Sequence, residues 1–252
     1  MLTVGHNQGL GDCILMNGAV RYLASKYGKI RYLAVSKNVT NLQHMYRYDN
    51  DIQVINLGSK GRVTSIYRRH IRALNRARQP NRIFNWGIMS HWTSDMVRIG
   101  LDPLKHSWCE AFYKLIGVPY AHRYESWNIE RDLEAEDNIF NMIGIPPQTN
   151  YCFVVDGRQN GQAVNKLRLN LNTERIIINP HNFQWKKTKI LDWIGVIQNA
   201  SEIHVIDTSW FHLTKQLRTT CPKFFHNIRK VPATPPNYLN DEWDNGWEVI
   251  DY

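Results

Sequence analysis

Apolar residues recur along this chain in two rhythms, short solid runs and helical stripes, and the two alternate. Leu2 to His6 is a short apolar-rich run that predicts a strand and leads into Asn7-Gln8-Gly9-Leu10-Gly11-Asp12. Residues 13–27 (CILMNGAVRYLASKY) read as a helix, with Ile14, Val20 and Leu23 among its apolar positions and Gly28 just past the end. Residues 30–35 (IRYLAV) predict a second strand. Asn38 is expected to cap a helix carrying Leu42, Met45 and Tyr46 on one side, and 52–57 (IQVINL) predict a third strand. This β-α-β-α-β order implies a parallel sheet with right-handed crossovers.

Residues 61–78 read as a basic amphipathic helix, with Val63, Ile66, Tyr67, His70 and Leu74 on one stripe and Arg68, Arg69, Arg72 and Arg76 largely off it. Pro80 stops it, and 82–87 (RIFNWG) predict a fourth strand. Further helices are expected near 107–116 and 129–143. Gly144, Pro146 and Pro147 then mark a domain boundary, dividing the chain into 1–145 and 146–232. The second half restarts with a strand over 151–156 (YCFVVD), followed by a polar, Gly-punctuated loop over 157–172. A strand at 175–179, a helix at 188–199, a strand at 202–207 (EIHVID), a helix opening at Thr208 and Ser209, and a strand at 223–228 complete the pattern. The tail, 233–252, carries Trp243 and Trp247 and is expected to pack back on the first domain.

Composition narrows the class. The chain has 252 residues, 43% of them hydrophobic and 12% aromatic, enough for two cores and unlike a disordered composition. No apolar run reaches the roughly 20 residues that a bilayer span needs. The first residues lack a basic and then apolar leader, so no signal peptide is expected. The cysteines Cys13, Cys109, Cys152 and Cys221 form no C-x-x-C pair. A zinc site or disulfide framework is therefore not expected, and a cytoplasmic location is. The net charge of +9 makes an anionic partner plausible.

Five sequences carry candidate chemistry. In the first, Gly9 and Gly11 allow close backbone approach to a ligand, and the helix that follows aims N–H groups at it, with Asp12 near its start. A tight turn capped by Asp12 is an equal reading of the loop alone. The loop is neither a P-loop nor the dinucleotide fingerprint. The second, Asp207-Thr208-Ser209-Trp210-Phe211-His212-Leu213, places small hydroxylated residues at a strand's carboxyl end, where hydroxyls and helix N–H groups converge on a phosphate. Ordinary capping is as good a reading of that segment alone. The third is Asn179-Pro180-His181 with Trp185-Lys186-Lys187, whose lysines suit phosphate charge but equally suit solvent. The fourth, Asp49-Asn50-Asp51, has the spacing of a metal-binding D-x-D but sits before a strand, so a polar turn is favoured. The fifth is the stretch Lys60 to Arg82, with eight Lys/Arg and no acid, read as a solvated helix face rather than a nucleic-acid surface.

Together, the Gly-Leu-Gly-Asp loop after the first strand and a later strand ending in D-T-x-x-x-H-L resemble the ADP-heptose:lipopolysaccharide heptosyltransferases, of glycosyltransferase family 9. The resemblance covers the first sixty residues and about 175–217. The proline usual a few residues after the loop aspartate is absent, with Asn17 and Gly18 there instead. The resemblance implies an α/β GT-B fold, two Rossmann-like parallel-sheet domains facing a cleft. It implies a metal-independent, inverting transfer of sugar from a nucleotide-diphosphate sugar to a hydroxyl of a glycan or other acceptor, an anionic acceptor included, with no cofactor. Asp12 corresponds to the catalytic base. Asn7, Gln8, Gly9 and Gly11, of the same loop, are expected to bind substrate, and Asp207, Thr208, Ser209 and His212 to contact the nucleotide diphosphate. A lysine in the loop after the preceding strand faces the phosphates in that family, with Lys186 or Lys187 the nearest match, and Pro180 and His181 are expected to bind substrate with them. A GT-B nucleotide-sugar 2-epimerase and a nucleic-acid-binding protein using residues 60–82 are the competing readings.

Overall fold

A computed structural model of the chain describes residues 2–5, 9–59, 84–85, 100–102, 106–156, 174–183, 187–228 and 244–252. The expected helix at 61–78, the polar loop at 157–172 and most of the expected strand at 82–87 lie outside these residues. The chain divides into two compact units, Met1–Glu130 and Arg131–Tyr252.

In the first unit, strands β1 (Leu2–Gly5), β2 (Ile30–Ala34), β3 (Ile52–Asn56) and β4 (Phe84–Asn85) form a sheet of order β3-β2-β1-β4. Every pairing is parallel, with Leu2 opposite Ile30 and Ile30 opposite Ile52. The expected helix over 13–27 is two helices, α1 (Leu10–Leu15) and α2 (Asn17–Tyr27), and it begins three residues early. α3 spans Ser36–Met45. Asn38 does not cap it: Val35 is the preceding extended residue, and Asn38 lies buried in the first turn, its Nδ2 donating to Cys13 Sγ at 3.5 Å. The unit continues with α4 (Trp108–Ile116) and α5 (His122–Glu125). Ser107 starts α4 as expected of a capping box, its Oγ accepting Glu110 N–H while Glu110 accepts Ser107 N–H. Ile14, Leu15, Met16, Val20, Ile30 and Leu42 are fully buried, each such aliphatic side chain contributing about 1.5–3 kcal/mol relative to exposure.

The second unit starts with α6 (Leu133–Ile143), capped by Asp132, whose carboxylate accepts Ala135 N–H at 3.1 Å. The boundary therefore lies ahead of the Gly144–Pro147 segment expected to carry it. The reason is packing: α6 buries Ile139, Phe140 and Ile143 and lies against the 190–198 segment, where a Cβ on Gly195 would come 3.3 Å from the Phe140 ring. Strands β5 (Tyr151–Val154), β6 (Ile176–Ile178), β7 (Glu202–Val205), β8 (Lys223–Asn227) and β9 (Trp247–Asp251) form an all-parallel sheet of order β6-β5-β7-β8-β9. The helix expected over 188–199 is a 3₁₀ turn (Ile190–Trp193) running into α7 (Ile194–Gln198). α8 spans Ser209–Leu217.

Residues 244–252 belong to the second unit and add a fifth strand to its sheet. Lys223 and Asp244 form a buried ion pair; Asp244 also accepts from Trp247 Nε1 at 2.7 Å and, through its carbonyl, from Lys215 Nζ at 3.1 Å. A buried pair held by extra hydrogen bonds anchors β9 in place.

On one face of this sheet His204 and His226 are buried and bonded, Nδ1 to Nε2, at 2.9 Å. His204 Nε2 reaches Glu202 at 2.6 Å and His226 Nδ1 reaches the Tyr252 hydroxyl at 2.6 Å. The network is satisfied with both rings neutral, each with one donor and one acceptor nitrogen. Burial, and then the neighbouring His204, push His226 down to about 3; burial also lowers His204. Both groups have folded pKa values below their unfolded ones, so their neutral forms favour the fold. That stability is present above about pH 6.5 and is lost as pH falls toward 3. The melting temperature should therefore drop between pH 6.5 and 4, with about 3 kcal/mol lost through His226. His226→Gln should flatten the drop relative to its own value at pH 7.5, and equal slopes for parent and variant would refute the assignment.

Candidate functional site

Each unit presents loops at the carboxyl ends of its strands, where parallel α/β sheets hold their ligands. In the first unit β1 ends at Gly5, and α1 opens at Leu10 with Gly9 as the residue before it. Asp12 sits in the first turn, and its Oδ2 accepts the Gly9 N–H at 2.6 Å. The capping role is thus real, and it fixes the carboxylate against the loop. Gly9 has extended backbone (φ −74°, ψ 178°), open to any residue. Among described atoms, a Cβ there would meet only Asp12 Oδ2, at 3.4 Å, an ordinary contact. The described packing does not demand glycine at this position, which leaves bare backbone beside Asp12. Gly11 is buried under the helix start. Cys13 Sγ donates to the Gly9 carbonyl at 3.3 Å; burial, and then Asp12, push its thiol up to about 12, so it stays protonated. Asn7 and Gln8 lie outside the described residues.

In the second unit β7 ends at Val205, and α8 begins after Thr208, whose extended backbone (φ −149°, ψ 176°) turns the chain into the helix. Asp207, Thr208 and Ser209 are half-buried, and His212 is buried one turn on, its Nε2 3.6 Å from Asp207 Oδ1. Thr208 Oγ1 donates to the Ile206 carbonyl at 3.3 Å. The structure thus gathers all four residues around the start of one helix, whose first-turn N–H groups have no carbonyl four residues back to bind. Pro180 and His181 occupy a 3₁₀ turn beyond β6, with Asn179 Oδ1 accepting the His181 N–H at 3.0 Å. This turn lies at the same strand-end edge, but β5 separates it from β7. Lys187 is exposed, and Lys186 lies outside the described residues.

The D-x-D sequence is a structural turn. Asp49 pairs with Arg21 at 2.7 Å, and the Asp51 carbonyl accepts the Ile30 N–H at 2.6 Å. Among the described residues no group of three His, Cys, Asp or Glu is placed to hold a metal ion, and no helix is long and apolar enough to cross a membrane. The basic stretch 60–82 lies outside the described residues.

Asp156 was missed as a site candidate in the sequence. It follows β5, the strand between β6 and β7, and is 3% exposed. Its signal was available: Tyr151–Asp156 and Glu202–Asp207 both close an apolar strand with an aspartate. A buried carboxylate at the strand-end edge, flanked on either side by the 180–181 turn and the 207–212 segment, joins the candidate set.

The chain thus has two successive all-parallel α/β units, each with its candidate residues where strands end. No family model and no curated protein matches the chain. Solved structures do. All of the chain aligns to 85% of a glycosyl transferase family 9 protein from Veillonella parvula, at 12% identity and a TM-score of 0.59. It aligns over 99% of its length to 90% of E. coli ADP-heptose lps heptosyltransferase II, at 14% identity and a TM-score of 0.57. It aligns over its whole length to 93% of E. coli heptosyltransferase WaaC with ADP, at 12% identity and a TM-score of 0.50. At such identities the likeness is one of fold, and the fold is that of the heptosyltransferases.

Proposed function

We propose that this chain is a glycosyltransferase that moves a sugar from a nucleotide-diphosphate sugar to an acceptor hydroxyl, inverting the anomeric carbon without a metal ion. The observation that carries the reading is the Asp207–His212 cluster, which lies at a strand end in a fold shared with a protein solved with ADP. The second unit takes the nucleotide diphosphate at the start of α8. There, helix N–H groups, the Ser209 hydroxyl and His212 meet its charge. Lys186 and Lys187 add positive charge as the diphosphate departs.

The first unit presents Asp12 to the acceptor. The bare backbone at Gly9 lets the acceptor approach, and Asp12 takes its hydroxyl proton as the oxygen attacks the anomeric carbon. The C–O bond to the diphosphate breaks on the opposite face. The transition state has oxocarbenium character, as in glycoside hydrolysis. Donors fixed around the diphosphate stabilise the charge that grows there.

Nucleotide binding tests the reading directly. ADP at 100 times its Kd should stabilise the native chain by about 2.7 kcal/mol and raise its melting temperature. Ser209→Ala and His212→Ala should shrink that rise. A melting curve unmoved by ADP, UDP, GDP, CDP and TDP would remove the basis of the proposal. Product analysis with labelled ADP-heptose, with and without lipopolysaccharide, then separates transfer from epimerisation.

A further inference from the structure

The segment 107–130 carries no motif, yet it makes a set of buried contacts with one place in the first unit. α1 and α2 are divided at Met16, without a proline. In an unbroken helix the Ala19 N–H would donate to the Leu15 carbonyl. Here the Tyr113 hydroxyl stands between them: it accepts the Ala19 N–H at 3.1 Å and donates to the Leu15 carbonyl at 2.8 Å. A side chain inserted into the i to i−4 ladder is a recognised cause of helix bending. Trp127 Nε1 donates to the neighbouring Ile14 carbonyl at 3.3 Å, and the Asn128 N–H donates to Asn17 Oδ1 at 3.0 Å. Tyr113 is fully buried, and burial raises its pKa far above the ordinary tyrosine value, so its proton stays. Its ring meets Tyr120 edge-on at 5.6 Å, and the Tyr120 hydroxyl accepts from the buried Arg123. The break is therefore gripped from outside by three groups on α4 and the segment after it.

We infer that Tyr113 is a positioning residue for Asp12: by occupying the break after α1 it sets the direction of that short helix, and so of the carboxylate on it. The inference rests on the reading of Asp12 as the base. α1 is six residues long, and such a helix does not hold its own direction in water. Its start is held by Asp12 to Gly9 and, across 25 positions, by Asn38 to Cys13. Its end takes the contacts from Tyr113 and Trp127, and there the Met16 N–H closes on the Asp12 carbonyl itself at 2.9 Å, which links that end to Asp12. Loss of the Tyr113 hydroxyl leaves a buried N–H and a buried carbonyl to find each other, which straightens the break or opens it to water. Either change swings Asp12. The hydroxyl touches no substrate in this account and acts through Asp12 alone.

The test uses the full chain, with hydrogen exchange read on peptides covering 9–20, ADP affinity, and turnover of ADP-heptose with lipopolysaccharide. Tyr113→Phe and Trp127→Phe keep a ring and remove the donor. Each should speed exchange in 9–20 about tenfold or more and leave ADP affinity within about twofold. Tyr113→Phe should lower kcat about 10–100-fold with little change in donor KM, the scale of loss that misplacement causes. In an Asp12→Asn background, Tyr113→Phe should lower turnover no further. If Tyr113→Phe melts the chain, the half-buried Trp127→Phe carries the same expectations. Unchanged exchange in 9–20 overturns the inference whatever the activity. So does faster exchange with kcat within twofold of the parent, or an additive loss in the Asp12→Asn background. A fully active Asp12→Asn chain overturns the base assignment itself; in that case Tyr113→Phe still speeds exchange, which tells the two failures apart.

Discussion

Asp12→Asn is expected to lower turnover about 10²–10⁴-fold while ADP binds as tightly as to the parent. That range is what general-base catalysis contributes. The substitution removes the proton acceptor and little else. Asparagine keeps an oxygen that can accept the Gly9 N–H now bound at 2.6 Å, so the start of α1 should survive. The nucleotide is assigned to the second unit, which the substitution does not touch. A steady-state assay with ADP-heptose, paired with ADP titration calorimetry, reads both quantities. Full turnover in the variant removes Asp12 from the mechanism. Lost turnover with equally weakened ADP binding shows instead that the residue acts on the donor.

Gly18→Ala should destabilise the first unit by about 3 kcal/mol, at the upper end of what overpacking costs. Helix propensity alone argues the other way, since alanine in α2 is better than glycine by about 1 kcal/mol. Sterics decide the sign. A Cβ at residue 18 would lie 2.0 Å from the His122 carbonyl oxygen and 3.1 Å from that of Arg123. Both are backbone atoms of α5, and Arg123 is fully buried, so the obstacle cannot rotate away. The backbone of α5 must back off, and the grip on the helix break loosens with it. Thermal melts should show a drop of about 10 °C. A drop under 2 °C would mean that α5 yields freely and the close approach carries no weight.

Much of the architecture was legible because it rests on local pattern. Short strand-forming runs at Ile30–Ala34, Tyr151–Val154 and Glu202–Val205, the middle one wholly buried, alternate with helical stripes, and that alternation points to parallel sheets. The loops at Gly9–Asp12 and Asp207–His212 were visible for the same reason, since each is a strand end followed by turn and capping residues. Boundaries were less legible. The glycine and prolines at 144–147 looked like a linker, but α6 ahead of them buries its apolar face in the second unit, and only that packing partner reveals where it belongs. Asn38 looked like a cap because asparagine often is one. Its actual role, a buried donor to Cys13, depends on a residue 25 positions away.

What the sequence determined by itself is most of the alternation of strands and helices, the parallel character of the first sheet, and the residue types waiting at the strand ends. Those follow from periodicity and capping, which act over a few residues. Tertiary structure alone decided that one expected helix is two, that 244–252 forms a fifth strand, and that Asp156 lies between the 180–181 turn and the 207–212 segment. Each of those outcomes turns on a contact between distant parts of the chain: Tyr113 with Leu15 and Ala19, Asp244 with Lys223, β5 with β6 and β7. A buried hydrogen bond or ion pair of that kind leaves no periodic trace, because its partners are chosen by the fold and not by their neighbours in sequence.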